Sequence, residues 1–204
     1  DKSNNHKNVI STVVGSSAGA FVGTLIANGY NALDLIESQL PPYKGILPKL
    51  KYSDILKIHD YGGLTKLSKF LQSKNIKDVL QNFSNTPGLF TTEGLKNYLL
   101  DNVIKKNQFS SYDIDFFVVA TQLDHSRKCV FGKYKFPNPK HDPTTHYYVN
   151  FPVADAVSAS MSVPIMYRPV KIKNPNTKEY NYFLDGELRD TLSTHVATDN
   201  NCKT

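Results

Sequence analysis

The sequence comprises 204 residues, enough for one α/β domain with a substantial core. Its 40% hydrophobic and 21% charged residues are ordinary for a soluble globular chain and argue against a low-complexity polypeptide. A net charge of +6 gives a moderately basic surface, but no RNA-binding or zinc pattern accompanies it, and Cys129 and Cys202 are too few for a disulfide framework or a four-cysteine metal site.

In chain order, residues 9–14 form a β-branched strand that runs into Gly15-Ser16-Ser17-Ala18-Gly19, a G-x-S-x-G motif. A small-residue helix over 17–28 follows, closed by Gly29. The same stretch has a competing reading. Residues 9–27 carry no charge, and Gly15, Gly19 and Gly23 repeat as they do in packed membrane helices. Ser11, Thr12, Ser16, Ser17 and Thr24 dilute that apolarity, and the β-branched residues all precede Gly15, so strand-then-helix is favoured.

Asn31 caps a helix over 32–40 that stops at Pro41-Pro42. Residues 43–63 read as irregular, with a short amphipathic turn about Ile55, Leu56 and Ile58. Two lysine-bearing helices, 64–71 and 76–83, precede a turn at Thr86-Pro87-Gly88. A longer helix over 92–106 sets Leu95, Leu99 and Val103 at helical spacing. Residues 114–123 contain an apolar run suited to a buried strand, which turns through Asp124-His125-Ser126-Arg127 into a partner strand over 128–132. A proline-bearing loop over 136–145 and a small helix over 153–162, opened by Pro152, come next. Strands over 167–172 and 180–184, joined by a turn at 174–177, lead to Asp185-Gly186.

No repeat, low-complexity tract or linker divides the chain, so a single domain over 1–204 is expected. Residues 1–8 show no signal-peptide pattern, and with the polar tail over 198–204 they read as the ends of a piece of a longer protein. Compartment stays open: a soluble protein or one peripheral to a membrane.

A G-x-S-x-G motif between strand and helix is a nucleophile elbow, in which a tight turn presents the serine hydroxyl to substrate. Ser17 is the candidate nucleophile. Gly15 and Gly19 are expected because a side chain at either would collide with the neighbouring strand or helix. The helix start offers unpaired backbone N–H groups to a developing oxyanion, that of Ala18 first. A serine needs a base. Of the six histidines only His195 lies downstream of a plausible acid, Asp185 or Asp190, in serine–acid–histidine order, and nothing around it marks it. Asp185 ends an apolar strand, and Gly186 lets the chain turn with the carboxylate displayed. Arg168 and Arg189 are open between binding a lipid phosphate and pairing with Asp190 or Glu187. Lysine clusters at Lys66, Lys69, Lys74 and Lys77 and at Lys128, Lys133, Lys135 and Lys140 favour an anionic lipid surface or are solvated. No metal-ligand set and no cofactor motif is evident.

Four landmarks in order carry a family resemblance: Gly15-Ser16-Ser17-Ala18-Gly19-Ala20, the strand Phe116-Phe117-Val118-Val119-Ala120 with its hairpin, the helix-to-proline segment Ala156-Val157-Ser158-Ala159-Ser160-Met161-Ser162-Val163-Pro164, and Leu184-Asp185-Gly186. Together they resemble the patatin-like phospholipases. The resemblance implies a three-layer α/β fold with a mainly parallel central sheet flanked by helices. It also implies a Ser17–Asp185 dyad that hydrolyses acyl esters of phospholipids or other lipids through an acyl-enzyme, at a membrane surface, without cofactor or metal. An activating protein partner is compatible with it; nucleic acid is not implied. Two departures stand out. The Gly-rich oxyanion loop that should precede the elbow strand has no counterpart in residues 1–8, so the domain is expected to lack that loop and its strand. Glu187 stands where the family usually has Gly or Ala, and is expected to face solvent. The alternatives are a catalytically silent module that binds lipid or protein, and an α/β-hydrolase esterase with a Ser17–Asp185–His195 triad.

Overall fold

The computed structural model describes residues 10–58, 88, 90–134, 142–189, 193–200 and 202. The expected helices over 64–71 and 76–83, Asp190, and most of the loop over 136–145 lie outside the described residues.

Strand β1 (Thr12–Ser16) leads through Ser17 into helix α1 (Ala18–Ala27). Helix α2 (Ala32–Gln39) starts where Asn31 accepts the N–H groups of Leu33 and Asp34, while Asp34 accepts that of Asn31 in a reciprocal cap. Within the stretch expected to be irregular, helix α3 (Tyr52–Ile55) and strand β2 (Lys57–Ile58) form, and β2 pairs with β3 (Phe90–Thr91). Helix α4 (Glu93–Asn102) buries Leu95, Tyr98 and Leu99. Strands β4 (Asp115–Gln122) and β5 (Arg127–Phe131) make the expected hairpin. They are followed by β6 (His146–Tyr148) and helix α5 (Val153–Ser160). A second hairpin, β7 (Val170–Lys173) and β8 (Tyr180–Asp185), precedes a short 3-10 turn over Gly186–Leu188 and helix α6 (Thr194–Asp199).

The main sheet has six strands, in the order β6-β5-β4-β8-β7 with β1 also on β4. It is not mainly parallel. Only β1–β4 and β5–β6 run parallel, while β4–β5, β4–β8 and β7–β8 are antiparallel. The reason is local: two hairpins each force an antiparallel pair, while the parallel β1–β4 pair is joined by a long crossover that includes α1, α2 and α4.

Alternation along β4 divides the core. Phe116, Val118 and Ala120 face α1, α4 and α5, meeting Ala20, Leu25, Leu99, Val153, Ala156 and Val157. Phe117 and Val119 face the other side with Val130, Tyr147 and Val196 of α6. The result is helices, sheet and one covering helix among the described residues. The first glycine-rich stretch is strand and helix rather than one continuous helix, and Gly23 lies close to the Phe116 ring of the sheet. Among the described residues no helix is long and apolar enough to cross a membrane.

Candidate active site

Ser17 occupies the single residue between β1 and α1, at φ 51° and ψ −125°. A side chain with Cβ in that region is strained by roughly 1–3 kcal/mol, and such strain persists only where neighbours hold it. Two contacts do so. Gly15 lets the helix start fold back on the strand: a Cβ there would stand 2.5 Å from the Gly19 carbonyl oxygen and 2.7 Å from Ala20 Cα. The Ser17 N–H donates to Ser160 Oγ at 2.9 Å, and Ser160 Oγ donates to the Val119 carbonyl at 2.6 Å. The fully buried Ser160 therefore ties the elbow to both α5 and the central strand.

Gly19 behaves differently. A Cβ at this position meets nothing within 4 Å, so the collision expected there does not occur and the glycine faces open space. The first N–H groups of a helix have no intrahelical partner, and Ser17 caps α1 with no side-chain hydrogen bond. The N–H groups of Ala18 and Gly19 thus point out at the exposed start of the helix, with its positive dipole end behind them.

Asp185 ends β8 and is 4% exposed. Its backbone N–H donates to the Ser162 carbonyl at 3.1 Å, and its Oδ1 accepts the Glu187 N–H at 2.9 Å. Oδ2 is buried with no hydrogen-bond partner. A buried carboxylate oxygen left unpaired is costly, and marks an atom that has given up water without a replacement. Glu187 faces solvent, as expected.

Strand register brings the two residues to one place. Val118 and Val119 pair with β1 on one side and β5 on the other; Ala120, Thr121 and Gln122 pair with β8 and β5. Strands β1 and β8 therefore share the same flank of β4 and meet end to end. Ser16 lies opposite Val119, and Asp185 lies opposite Ala120, the next residue. Gly186 sits in the junction, where a Cβ would come within 2.5 Å of the Val119 carbonyl oxygen and 2.6 Å of Ser16 Oγ. The end of α5 and the turn after it touch both sides, Ser160 holding Ser17 and Ser162 holding Asp185. The hydroxyl and the carboxylate are not hydrogen-bonded to each other in this arrangement, since Oδ2 has no partner. Beside the junction, a cleft of about 730 Å³ runs between β1 and α6, lined by Val14, Ser16, Gly19, Glu187 and Ala197 among others.

His195 lies elsewhere. On α6 its Nε2 is 3.4 Å from Lys128 Nζ. Lys128 pairs with Thr121, whose side chain alternates to the sheet face opposite that of Ala120 and Asp185. Neither Asp185 oxygen bonds the imidazole. Arg189 donates to Thr144 Oγ1 at 3.1 Å, and Arg168 donates to the Gly88 carbonyl at 3.0 Å. Ser160 and Ser162 carry no catalytic signature in the sequence. The available signal was the spacing of small hydroxyl residues in Ser158-Ala159-Ser160-Met161-Ser162.

A strand, a strained serine at the head of a helix, and a buried carboxylate at the adjoining strand end define an elbow of the serine-hydrolase type. The family model for patatin-like phospholipases matches residues 4–198, and the chain belongs to that family. Its members are serine lipid acyl hydrolases. No curated protein matches the chain at a significant level.

Proposed function

We propose that the protein is a phospholipase A that hydrolyses acyl esters at a membrane surface through Ser17 and Asp185, within a single catalytic unit over residues 1–204. The observation that carries this reading is the end-to-end meeting of β1 and β8 on one flank of β4, with Asp185 Oδ2 buried and unpaired beside the elbow. In this reading the Ser17 hydroxyl turns to that oxygen when substrate binds. Asp185 accepts the proton as Ser17 Oγ attacks the ester carbonyl. The tetrahedral oxyanion takes the Ala18 N–H, and the α1 dipole favours the charge. The proton then passes to the departing alcohol, leaving an acyl-serine. A water that gives its proton to Asp185 attacks the acyl-enzyme, and Asp185 returns that proton to Ser17 Oγ as the fatty acid leaves.

Exposed Val163, Ile165 and Leu188 follow the two segments that hold Asp185, and offer apolar contact to an acyl chain. The cleft beside Gly19 has room for one. The histidine-triad alternative loses support from the position of His195 against Lys128.

The test is phospholipid cleavage by the protein and by Ser17→Ala, Asp185→Asn and His195→Ala variants. The first two should lose activity by at least about 10³-fold, as removal of nucleophile or base does in serine enzymes. His195→Ala should stay near the parent rate. Equal activity in all four refutes the site. A loss in His195→Ala matching that of Ser17→Ala restores the triad, and a folded but inert parent favours the silent module.

A further inference from the structure

We propose that the outer face of α2 and the loop over 40–51 form the surface by which this protein lies on an anionic lipid bilayer. The proposal builds on the lipid-hydrolase reading and names where the lipid surface is met. Helix α2 packs Leu35 against the core and carries a second apolar set on its outer side. Its buried residue is Ser38, while Leu33 and Ile36 point outward with the capping Leu40, spaced along one face. Leu33 is 66% and Leu40 57% exposed.

The loop that follows is held alongside the helix. The Gly45 N–H donates to the Glu37 carbonyl at 3.0 Å, that of Leu47 to Ser38 Oγ at 3.1 Å, and that of Leu50 to Gln39 Oε1 at 2.8 Å. A Cβ at Gly45 would collide with Ser38, so the approach is close. Ile46, between two of these anchors, is 71% exposed, and Tyr43 is exposed too. A fixed patch of large apolar side chains in water marks an interaction surface rather than random exposure.

Charge selects the occupant. The loop over 40–51 carries Lys44, Lys49 and Lys51 and no acid; α2 adds the exposed Glu37 and Asp34, whose carboxylate caps the helix, so the face is net basic. Lys49 Nζ donates to Tyr43 Oη at 2.8 Å and lies 4.1 Å above its ring, so cation and aromatic body form one amphipathic unit. Apolar side chains at headgroup depth, a tyrosine among them and lysines reaching phosphate, fit the boundary of an anionic leaflet. A second copy fits less well, because a two-fold contact through this face gathers six lysines against two exposed Glu37 carboxylates, a net like charge. The loop also leads towards the site. It enters α3, whose Asp54 lies against Gly94 at the start of α4, and Thr92 beside it bonds Ser158, two residues before the Ser160 that holds Ser17.

The experiment is sedimentation of the protein with phosphatidylcholine vesicles, with and without about 30 mol% phosphatidylserine, which supplies the negative surface potential that draws lysines. Lys44→Gln/Lys49→Gln/Lys51→Gln should lower partitioning onto the anionic vesicles by roughly 100-fold, about fivefold for each lysine. Leu40→Gln/Ile46→Gln should lower it by at least about tenfold. Thermal melting establishes that each variant is folded, and either variant suffices alone. Ser17→Ala should bind as the parent does, so a failed catalytic reading leaves this result readable. Turnover of a water-soluble short-chain ester should be unchanged in the two surface variants. Folded variants that bind like the parent overturn the proposal, as does a parent that ignores both vesicles. A parent dimer, seen by light scattering, that Leu40→Gln/Ile46→Gln splits would also overturn it.

Discussion

Ser17 stands in a backbone conformation that only its surroundings maintain, and Ser160 is the residue that maintains it most directly. Ser160→Ala removes the acceptor of a backbone N–H inside the fold and should cost about 1–3 kcal/mol. A lower melting temperature together with slower ester turnover is the expected pair of results; unchanged turnover would show that the elbow keeps its shape without this tie. The two motif glycines should separate in the same assay. Gly15→Ala drives a methyl group into the backbone of the first helical turn and should destabilise by about 1–3 kcal/mol. Gly19→Ala meets no atom of the protein and should not destabilise, with a gain of up to about 1 kcal/mol from helix propensity. Any loss of activity in Gly19→Ala then reports on substrate rather than fold. The strand–turn–helix around Ser17 is legible in the sequence because its strand, turn and helix signals agree within a few residues. Ser160 was not legible, since a serine in a helix carries no mark of the distant N–H it will bind.

The elements divide in the same way. The long apolar run of β4 and the two turn-linked strand pairs read correctly, because each is set by neighbours in sequence. Their parallel or antiparallel sense was misjudged at the level of the sheet, where β8 returns along the flank of β4 that β1 begins. That placement depends on contacts over sixty residues apart and leaves no local pattern. Strand β6 and helix α6 were missed for a related reason. Each is short, and α6 contributes chiefly one buried side chain, Val196, too little for a periodicity. Covered strands should protect what they carry. Cys129 on β5 has no exposed surface, and burial pushes its thiol up to about 12, with the nearby Arg127 opposing. It should resist a thiol reagent at mildly alkaline pH until the protein unfolds. Native labelling at Cys129 would show that the β4–β5 layer opens readily.

For the molecule as a whole, burial sets its response to alkali. Burial, aided by the negative charge of Asp199, raises the Tyr147 phenol from 10.0 to about 12, and burial raises Tyr98, Tyr112, Tyr148 and Tyr167 in the same direction. Groups with raised folded values give up protons more easily when unfolded. Their contribution to stability is intact below the unfolded values, 9.0 for Cys129 and 10.0 for Tyr147, and is lost as pH rises through about 12. The denaturant midpoint should therefore fall across that window, and a flat profile would mean that these side chains are already hydrated.

The central claim is that Ser17 is a nucleophile made reactive by Asp185. A fluorophosphonate probe followed by peptide mapping tests it without a choice of lipid. The probe should attach to Ser17, and Asp185→Asn should slow attachment by about 10²-fold or more, the scale of a lost general base. Attachment to another serine, or labelling of Ser17 at the parent rate in Asp185→Asn, would contradict the account.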